Sequence, residues 1–422
     1  MLSKNIKYIH YIGEHAVVGL HNNETYLLNS IQKEIVKEFL LHHDSEDVVE
    51  HFIKKNEIVD ADIPQARILI SNYFNKLKNM GILASKEDEV IYNINTTGIE
   101  GQFYPYRITF ELTNACVAYC SHCFKKANDG PIKYIDYSKM YEFCTNGIHN
   151  EFQIVHLTGG EPLLHPQFQR IMQLFSDKDI ELNTNGILIN NYSPDIFKKV
   201  KALSIGIYGL SDREYLQNTG ISNGYSALKE SCEMLVKNNI VFSISLVINK
   251  KNIDFLEKYV ETAYRLGASE FIPGLANQIG RLEYVCENNQ HWLLSPEEKR
   301  FAYRKLRELG KKYYGKILID DWGRDQYRSN DKLRETEKVY KNRCFQCGAG
   351  TLKWTITEDF MFKPCTMFLD CPQLLFSESE WKQYTENKNE IIWSYYLQAF
   401  ISNCKKRGTI PSEYCDYIPK DR

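Results

Sequence analysis

The chain has 422 residues, with 52 Lys plus Arg against 54 Asp plus Glu and a formal net charge of −2. That balance provides no electrostatic footprint for nucleic acid, and no apolar run approaches the length of a membrane span. Twelve cysteines, in a chain whose start lacks a signal peptide's apolar core, point to metal ligands in a reducing cytoplasm rather than to disulfides.

The length suggests two or three domains. Residues 1–86 read as a small α+β module of winged-helix-like type. Strands are expected at Tyr8–Ile12, Ala16–Leu20 and Glu24–Leu28, and helices around Ser30–Leu41 and Ser45–Lys55. A third helix begins near Asp62-Ile-Pro64, with Asp62 as N-cap and Pro tolerated in the first turn. Its residues Ile70, Tyr73, Phe74, Leu77 and Met80 lie three or four apart on one face, and Gly81 ends it. This pattern resembles the PqqD-like recognition element of enzymes that modify ribosomally made peptides. The resemblance implies a leader peptide added as a strand beside Thr25, Tyr26 and Leu27, with Arg67, Leu69 and Tyr73 as candidate pocket residues. Packing of the module's own core is the alternative for Leu69 and Tyr73.

A polar linker, 87–104, leads to a segment, 105–310, in which strand and helix patterns alternate. Strands are expected at Tyr106–Leu112, Ile154–Leu157, Glu181–Asn183, Leu203–Tyr208, Val241–Val247 and Phe271–Gly274. Tyr137–Ile148, Pro166–Phe175 and Ala227–Asn238 read as intervening helices. Such alternation argues for a parallel α/β sheet, here a partial (β/α)6 barrel of the TIM type.

The first of these strands runs into Cys116, Cys120 and Cys123, spaced C-x3-C-x2-C. Three thiolates on one short loop can hold three irons of a cubane cluster and leave the fourth without a protein ligand. Zinc bound by three Cys and His122 is the competing reading. His122 lies between two of the cysteines, however, where joint ligation is strained, and zinc ribbons usually come as paired knuckles. The second strand ends in Thr158, Gly159, Gly160, Glu161 and Pro162, and the third in Asn183-Thr-Asn185-Gly. Paired glycines permit close backbone approach to a ligand, and carbonyls with Glu161 can accept from an ammonium group.

The Cys triplet together with Gly-Gly-Glu-Pro resembles the radical SAM superfamily over about Arg107 to Gly280. The resemblance implies a [4Fe-4S] cluster on Cys116, Cys120 and Cys123, and S-adenosylmethionine held by Thr158–Glu161, Asn183 and Asn185. It also implies a 5′-deoxyadenosyl radical that abstracts hydrogen from the substrate. One departure is Ser204-Ile-Gly-Ile-Tyr-Gly209, where Gly206 stands at the place of a serine common in relatives. Tyr208 lines either the substrate site or the core.

Residues 311–422 form the tail. Cys344-x2-Cys347 opens it, and Lys363-Pro-Cys365 follows a strand at Trp354–Thr357 and a turn at Glu358-Asp359. This resembles a SPASM or twitch extension. It implies one or two auxiliary iron–sulfur clusters on Cys344, Cys347, Cys365, Cys371, Cys404 and Cys415, although the dense cysteine run of a full SPASM region is missing. Zinc on the same residues is the alternative. Cys144 and Cys232 read as apolar fillers, Cys286 is unassigned, and His156 and His165 read as structural.

Together the three parts resemble peptide maturases of the sactipeptide and ranthipeptide type. These join a cysteine sulfur to a carbon of a precursor peptide, which implies a leader-bearing precursor and an electron donor such as flavodoxin or ferredoxin as partners. Carbon–carbon crosslinking, epimerisation and radical chemistry on a small molecule are the alternatives. A metal-stapled, non-enzymatic peptide adaptor is the bland one.

Overall fold

The computed structural model describes residues 1–21, 24–42, 44–84, 91, 93–146, 151–277, 279–282, 292–319, 350, 353–364, 366 and 375–386. These divide into two compact units. The first comprises Met1–Tyr106 with Cys144–Gln153 and Lys382–Glu390, and the second holds the remainder.

In the first unit, strands β1 (Ile6–Gly13), β2 (His15–Leu20), β3 (Thr25–Leu28) and β4 (Asn95–Glu100) form one sheet in the order β3-β2-β1-β4. Helices α1 (Ser30–Leu41), α2 (Ser45–Lys55) and α3 (Ile63–Asn79) follow the first three strands. Asn29 starts α1 with a capping box: the Gln32 N–H donates to its Oδ1 at 2.8 Å, and its own N–H donates to Gln32 Oε1 at 3.1 Å. Asp62 occupies the cap position of α3, but its side chain makes no capping bond. The core joins Ile9, Val18 and Leu28 of the sheet to Ile35, Phe39 and Leu77 of the helices.

The segment read as a linker contains a strand. β4 pairs in parallel with β1, Tyr8 against Asn95 through Gly13 against Glu100. Its polar sequence, Asn-Thr-Thr-Gly-Ile-Glu, hid the strand, because an edge position leaves most of its side chains exposed.

The second unit is built on β5 (Arg107–Glu111), β6 (Ile154–Thr158), β7 (Asp179–Thr184), β8 (Val200–Gly206), β9 (Ser243–Ile248) and β10 (Glu270–Leu275). Each pairs in parallel with its successor, as a partial (β/α)6 barrel requires. The helices between them are α4 (Tyr137–Thr145), α5 (Phe168–Leu174), α6 (Pro194–Phe197), α7 (Asp212–Thr219), α8 (Gly224–Lys237) and α9 (Leu256–Arg265). After α10 (Pro296–Lys312), β11 (Leu318–Ile319) extends the sheet beyond β10. The hairpin β12 (Lys353–Ile356) and β13 (Phe362–Lys363) extends it beyond β5. Among the described residues the sheet therefore ends in two edges, β11 and β13.

Alternation along these strands separates two faces. Val155, Leu157, Ile180, Leu182, Leu203, Ile205, Ile244 and Leu246 are all buried, with Phe110 on the same face packed 5.4 Å from Phe175, the residue that caps α5. The other face carries His156, Glu181, Asn183, Ser204 and Ser245, partly open and polar. That inner face is the one a substrate can reach.

Candidate active site

The chemistry-bearing residues gather at the C-terminal ends of the parallel strands, where barrel folds place their sites. Cys116, Cys120 and Cys123 follow β5, the Gly-Gly-Glu-Pro turn follows β6, Thr184–Gly186 ends β7, and Tyr208 follows β8.

The cysteine loop is held by its own neighbours. The Cys116 N–H donates to Asn128 Oδ1 at 2.8 Å, and Asn128 Nδ2 returns a 2.8 Å bond to the Cys116 carbonyl. Sulfur accepts as well: Cys116 Sγ from the Ala118 N–H at 3.4 Å and from Asn185 Nδ2 at 3.7 Å, Cys123 Sγ from the Ala127 N–H at 3.4 Å. Donors aimed at sulfur favour thiolate and tune the potential of any cluster bound there. Asn185, expected at the cofactor, thus lies against Cys116, while Asn183 is exposed on the inner face and hydrogen-bonds His156.

Without metal the Cys116 and Cys120 thiols are held neutral. Burial is the main cause, assisted by the neighbouring acidic groups, and it pushes the Cys116 thiol up to about 12 and raises that of Cys120 as well. Loading metal would therefore release protons. The three sulfurs do not all come within 4.8 Å of one another, whereas thiolates sharing one zinc at about 2.3 Å stand roughly 3.8 Å apart. A cluster that places each sulfur on a different iron fits this donor set better than a single ion. His122 is not drawn in as a fourth ligand. Its ring lies 5.7 Å from that of Tyr208 and 5.8 Å from that of Trp292, and burial, with Arg281 and Lys251 nearby, lowers its pKa to about 4.

The Gly-Gly-Glu-Pro turn differs from expectation in two respects. The glycines are required by the cysteine loop. A Cβ on Gly160 would lie 2.1 Å from the Ala115 carbonyl oxygen, and one on Gly159, at φ +136°, 2.5 Å from that of Thr113. The Gly160 and Glu161 N–H groups donate to those same carbonyls at 2.6 and 2.7 Å. Glu161, expected to accept from an ammonium group, turns its carboxylate into the protein. It takes bonds from Thr184 Oγ1 at 2.8 Å, the Leu163 N–H at 3.1 Å and the Asn185 N–H at 2.8 Å. Burial outweighs these bonds and lifts its pKa to about 7. Glu161 thereby ties the turn after β6 to the turn after β7.

Gly206 has a counterpart in Tyr208. A Cβ at Gly206 would lie 2.6 Å from the Tyr208 hydroxyl, so the phenol folds back over the space a side chain there would take. His156 and His165, read as structural, both have hydrogen-bond partners within the protein. His165 Nε2 bonds the Ile135 carbonyl at 2.9 Å and its Nδ1 accepts from the Gln167 N–H at 3.1 Å, and His156 Nδ1 lies 3.3 Å from Thr109 Oγ1.

Sequence reading missed Arg281, which follows β10 and is almost fully buried. Its Nη1 donates to the Cys120 carbonyl at 2.9 Å, and its Nη2 to the Ala127 carbonyl and to Asp129 Oδ1, the latter at 2.9 Å. The guanidinium sits 3.6 Å over the Tyr119 ring, and the Arg281 N–H reaches the Cys123 carbonyl at 3.0 Å. Only the position just past the sixth strand hinted at this role. A second network joins loop and tail: Glu111 receives Lys125 at 2.5 Å and Lys363 at 2.9 Å, and Lys125 also meets Glu358 at 2.6 Å.

In the first unit, the candidate peptide residues are differently disposed. Thr25, Tyr26 and Leu27 lie on β3, an edge strand of the sheet. Tyr26 and Tyr73 pack against the core, and Leu69 is 52% exposed. Arg67 is ion-paired to Glu46 and Glu50 of α2. Cys344, Cys347, Cys365, Cys371, Cys404, Cys415 and Cys286 lie outside the described residues.

An open α/β half-barrel with a three-cysteine loop at its mouth is the architecture these residues build. Residues 110–263 match the family model of the Radical SAM superfamily, so the barrel carries a radical SAM domain. That family implies a [4Fe-4S] cluster and S-adenosylmethionine. The chain is 20% identical to the antilisterial bacteriocin subtilosin biosynthesis protein AlbA of Bacillus subtilis (strain 168), over 81% of this chain and 73% of AlbA. It is 22% identical to the sporulation killing factor maturation protein SkfB of the same strain, over 65% of this chain and 63% of SkfB. The fold is similar to that of Streptococcus suis SuiB, crystallised with S-adenosylmethionine and, separately, with its precursor peptide SuiA. The TM-score is 0.61 at 14% and 13% identity, covering 92% of this chain and 88% of SuiB. No helix among the described residues is long and apolar enough to cross a membrane.

Proposed function

We propose that this chain matures a ribosomally synthesised precursor peptide by joining cysteine sulfur to carbon. The observation that carries the reading is the convergence of three thiols and the Gly-Gly-Glu-Pro turn at the C-terminal ends of the parallel strands. Biosynthesis and maturation of peptide products by AlbA and SkfB, and the peptide bound to SuiB, support a peptide as substrate.

Cys116, Cys120 and Cys123 would hold the cluster, and the backbone after β6, with the polar end of β7, would hold S-adenosylmethionine. When bound, that pair supplies a 5′-deoxyadenosyl radical able to remove hydrogen from an unactivated C–H bond. The chain's own residues do the rest. Arg281 and Asn128 fix the loop, Asn185 bonds Cys116 Sγ, Glu161 locks two turns together, and the Tyr208 ring stacks with that of His122 in the loop. A leader would add as a strand beside β3. Thioether formation removes two hydrogens from the peptide. One leaves as the abstracted atom and the other as a proton plus an electron, for which an auxiliary cluster on the tail cysteines would be the acceptor, with flavodoxin or ferredoxin as external donor to the first cluster.

The test is anaerobic incubation of reconstituted enzyme with S-adenosylmethionine, reductant and the precursor peptide encoded beside it. Loss of two hydrogen masses, with a cysteine no longer alkylatable, supports the thioether. The same loss with all thiols alkylatable indicates a carbon–carbon bond, and an unchanged mass with an inverted residue indicates epimerisation. Continued 5′-deoxyadenosine formation by C116A/C120A/C123A would overturn the assignment of the cysteine loop.

A further inference from the structure

We infer that the first unit carries a zinc-type metal site of its own, formed by Glu38, His42 and His51. Glu38 and His42 stand four residues apart at the end of α1, a spacing that puts both side chains on one helix face. His42 takes the C-cap position, its N–H bonded to the Glu38 carbonyl at 2.7 Å. His51 comes from α2. The three potential ligand atoms form a small triangle: His51 Nδ1 to His42 Nε2 is 2.8 Å, Glu38 Oε2 to His51 Nδ1 is 3.7 Å, and Glu38 Oε2 to His42 Nε2 is 3.9 Å. A point equidistant from these atoms lies about 2.1 Å from each, within the roughly 2.0–2.2 Å of zinc bonds to imidazole nitrogen and carboxylate oxygen.

The second observation concerns Glu38 itself. The residue is 1% exposed, and its Oε2 is buried without a hydrogen-bond partner. An unpaired buried carboxylate oxygen carries its full desolvation cost, and a cation in the triangle would remove that cost. The other oxygen is already used. Lys55 Nζ donates to Glu38 Oε1 at 2.9 Å, and a second carboxylate, Glu34, shares that lysine at 2.9 Å. The lysine's charge is thus met by two acids, and Oε2 stays directed at the histidines. Both histidines are partly exposed, so an ion has a way in from solvent. One imidazole must now donate to the other across 2.8 Å, and metal binding would displace that shared proton.

Two imidazoles and a carboxylate suit zinc or a neighbouring d-block ion better than calcium or magnesium. Three protein ligands leave one position for water. The site joins the end of α1 to α2 within the first unit and shares no residue with the cysteine loop.

The test uses the full chain, reconstituted anaerobically with iron and sulfide, then dialysed against buffered zinc. Wild type should retain one zinc more than H42A/H51A, at equal iron content, and E38Q should bind it at least tenfold more weakly. Equal zinc in wild type and the double variant would overturn the site. The zinc X-ray absorption edge of wild type gives a reading that needs no variant: nitrogen and oxygen scatterers alone are expected for this zinc, and a first shell containing only sulfur would place the metal on cysteines and refute the proposal.

Discussion

Replacing Arg281 by methionine removes the guanidinium while keeping much of its stem. The Ala127 carbonyl then loses its donor in a buried setting, the Cys120 carbonyl keeps only the Cys123 N–H, and Tyr119 loses its stacked cation. The orphaned carbonyl costs about 1–3 kcal/mol, the bond lost at Cys120 about 1 kcal/mol and the cation–π contact roughly 0.5–2 kcal/mol. The ion pair to Asp129 adds little, since that carboxylate is more than one-third exposed. The loop should therefore open more easily by about 3–5 kcal/mol, in line with the loss of one partner from a buried charged contact. Local opening is read by amide exchange. The Tyr119 N–H, bonded to the Thr219 carbonyl, and the Cys116 N–H, bonded to Asn128, should exchange at least about a hundredfold faster. Iron held through a chelator challenge should fall by roughly four atoms per chain. R281K, which keeps the charge but not the fork, should lie between. Unchanged exchange at Tyr119 and Cys116 together with unchanged iron in R281M would refute the claim that Arg281 fixes the loop.

Three further outcomes are expected. G160A should prevent the turn after β6 from seating on the cysteine loop, because its methyl would overlap the Ala115 carbonyl; cluster content and 5′-deoxyadenosine formation should both collapse, and near-normal values would contradict the packing. E161Q places an amide N–H₂ opposite either the Asn185 N–H or the two donors on Oε1, so thermal or urea denaturation should show a loss of about 1–3 kcal/mol. Glu111 gives a pH dependence of definite sign. Burial alone would raise its pKa, but Lys363 and Lys125 outweigh burial and hold it below 4.5. Its stabilising contribution is therefore present above pH 4.5 and lost as pH falls through the lower folded value. In E111Q that acid-side loss should shrink, and the variant should be weaker by about 3–5 kcal/mol at pH 7 because two buried lysines lose their carboxylate; an acid limb identical to wild type would show that Glu111 does not contribute it.

Strand and helix alternation sufficed to place β5–β10, because a parallel strand buried on one face writes itself as Val, Leu and Ile at every second position. The thiol loop was equally plain, since three cysteines within eight residues have few other uses. The edge strand β4 was not, because its polar sequence carries no burial signal. Two sets of contacts were hidden for another reason. Glu161 and Arg67 are charged residues at suggestive positions, and sequence offers no means of seeing that Thr184, Leu163 and Asn185 bond the first carboxylate, or that Glu46 and Glu50 pair with the second residue's cation.

Local chemistry along the chain thus determined the barrel strands and the spacing of the three thiols, which depend on neighbours a few residues away. Tertiary structure decided what depends on distant partners. Arg281 lies 161 residues from Cys120, and Glu38 meets His51 only because α1 and α2 pack together. Hydrogen bonds and metal coordination act over about 3 Å, so residues far apart in sequence become one site only when the fold has brought them that close.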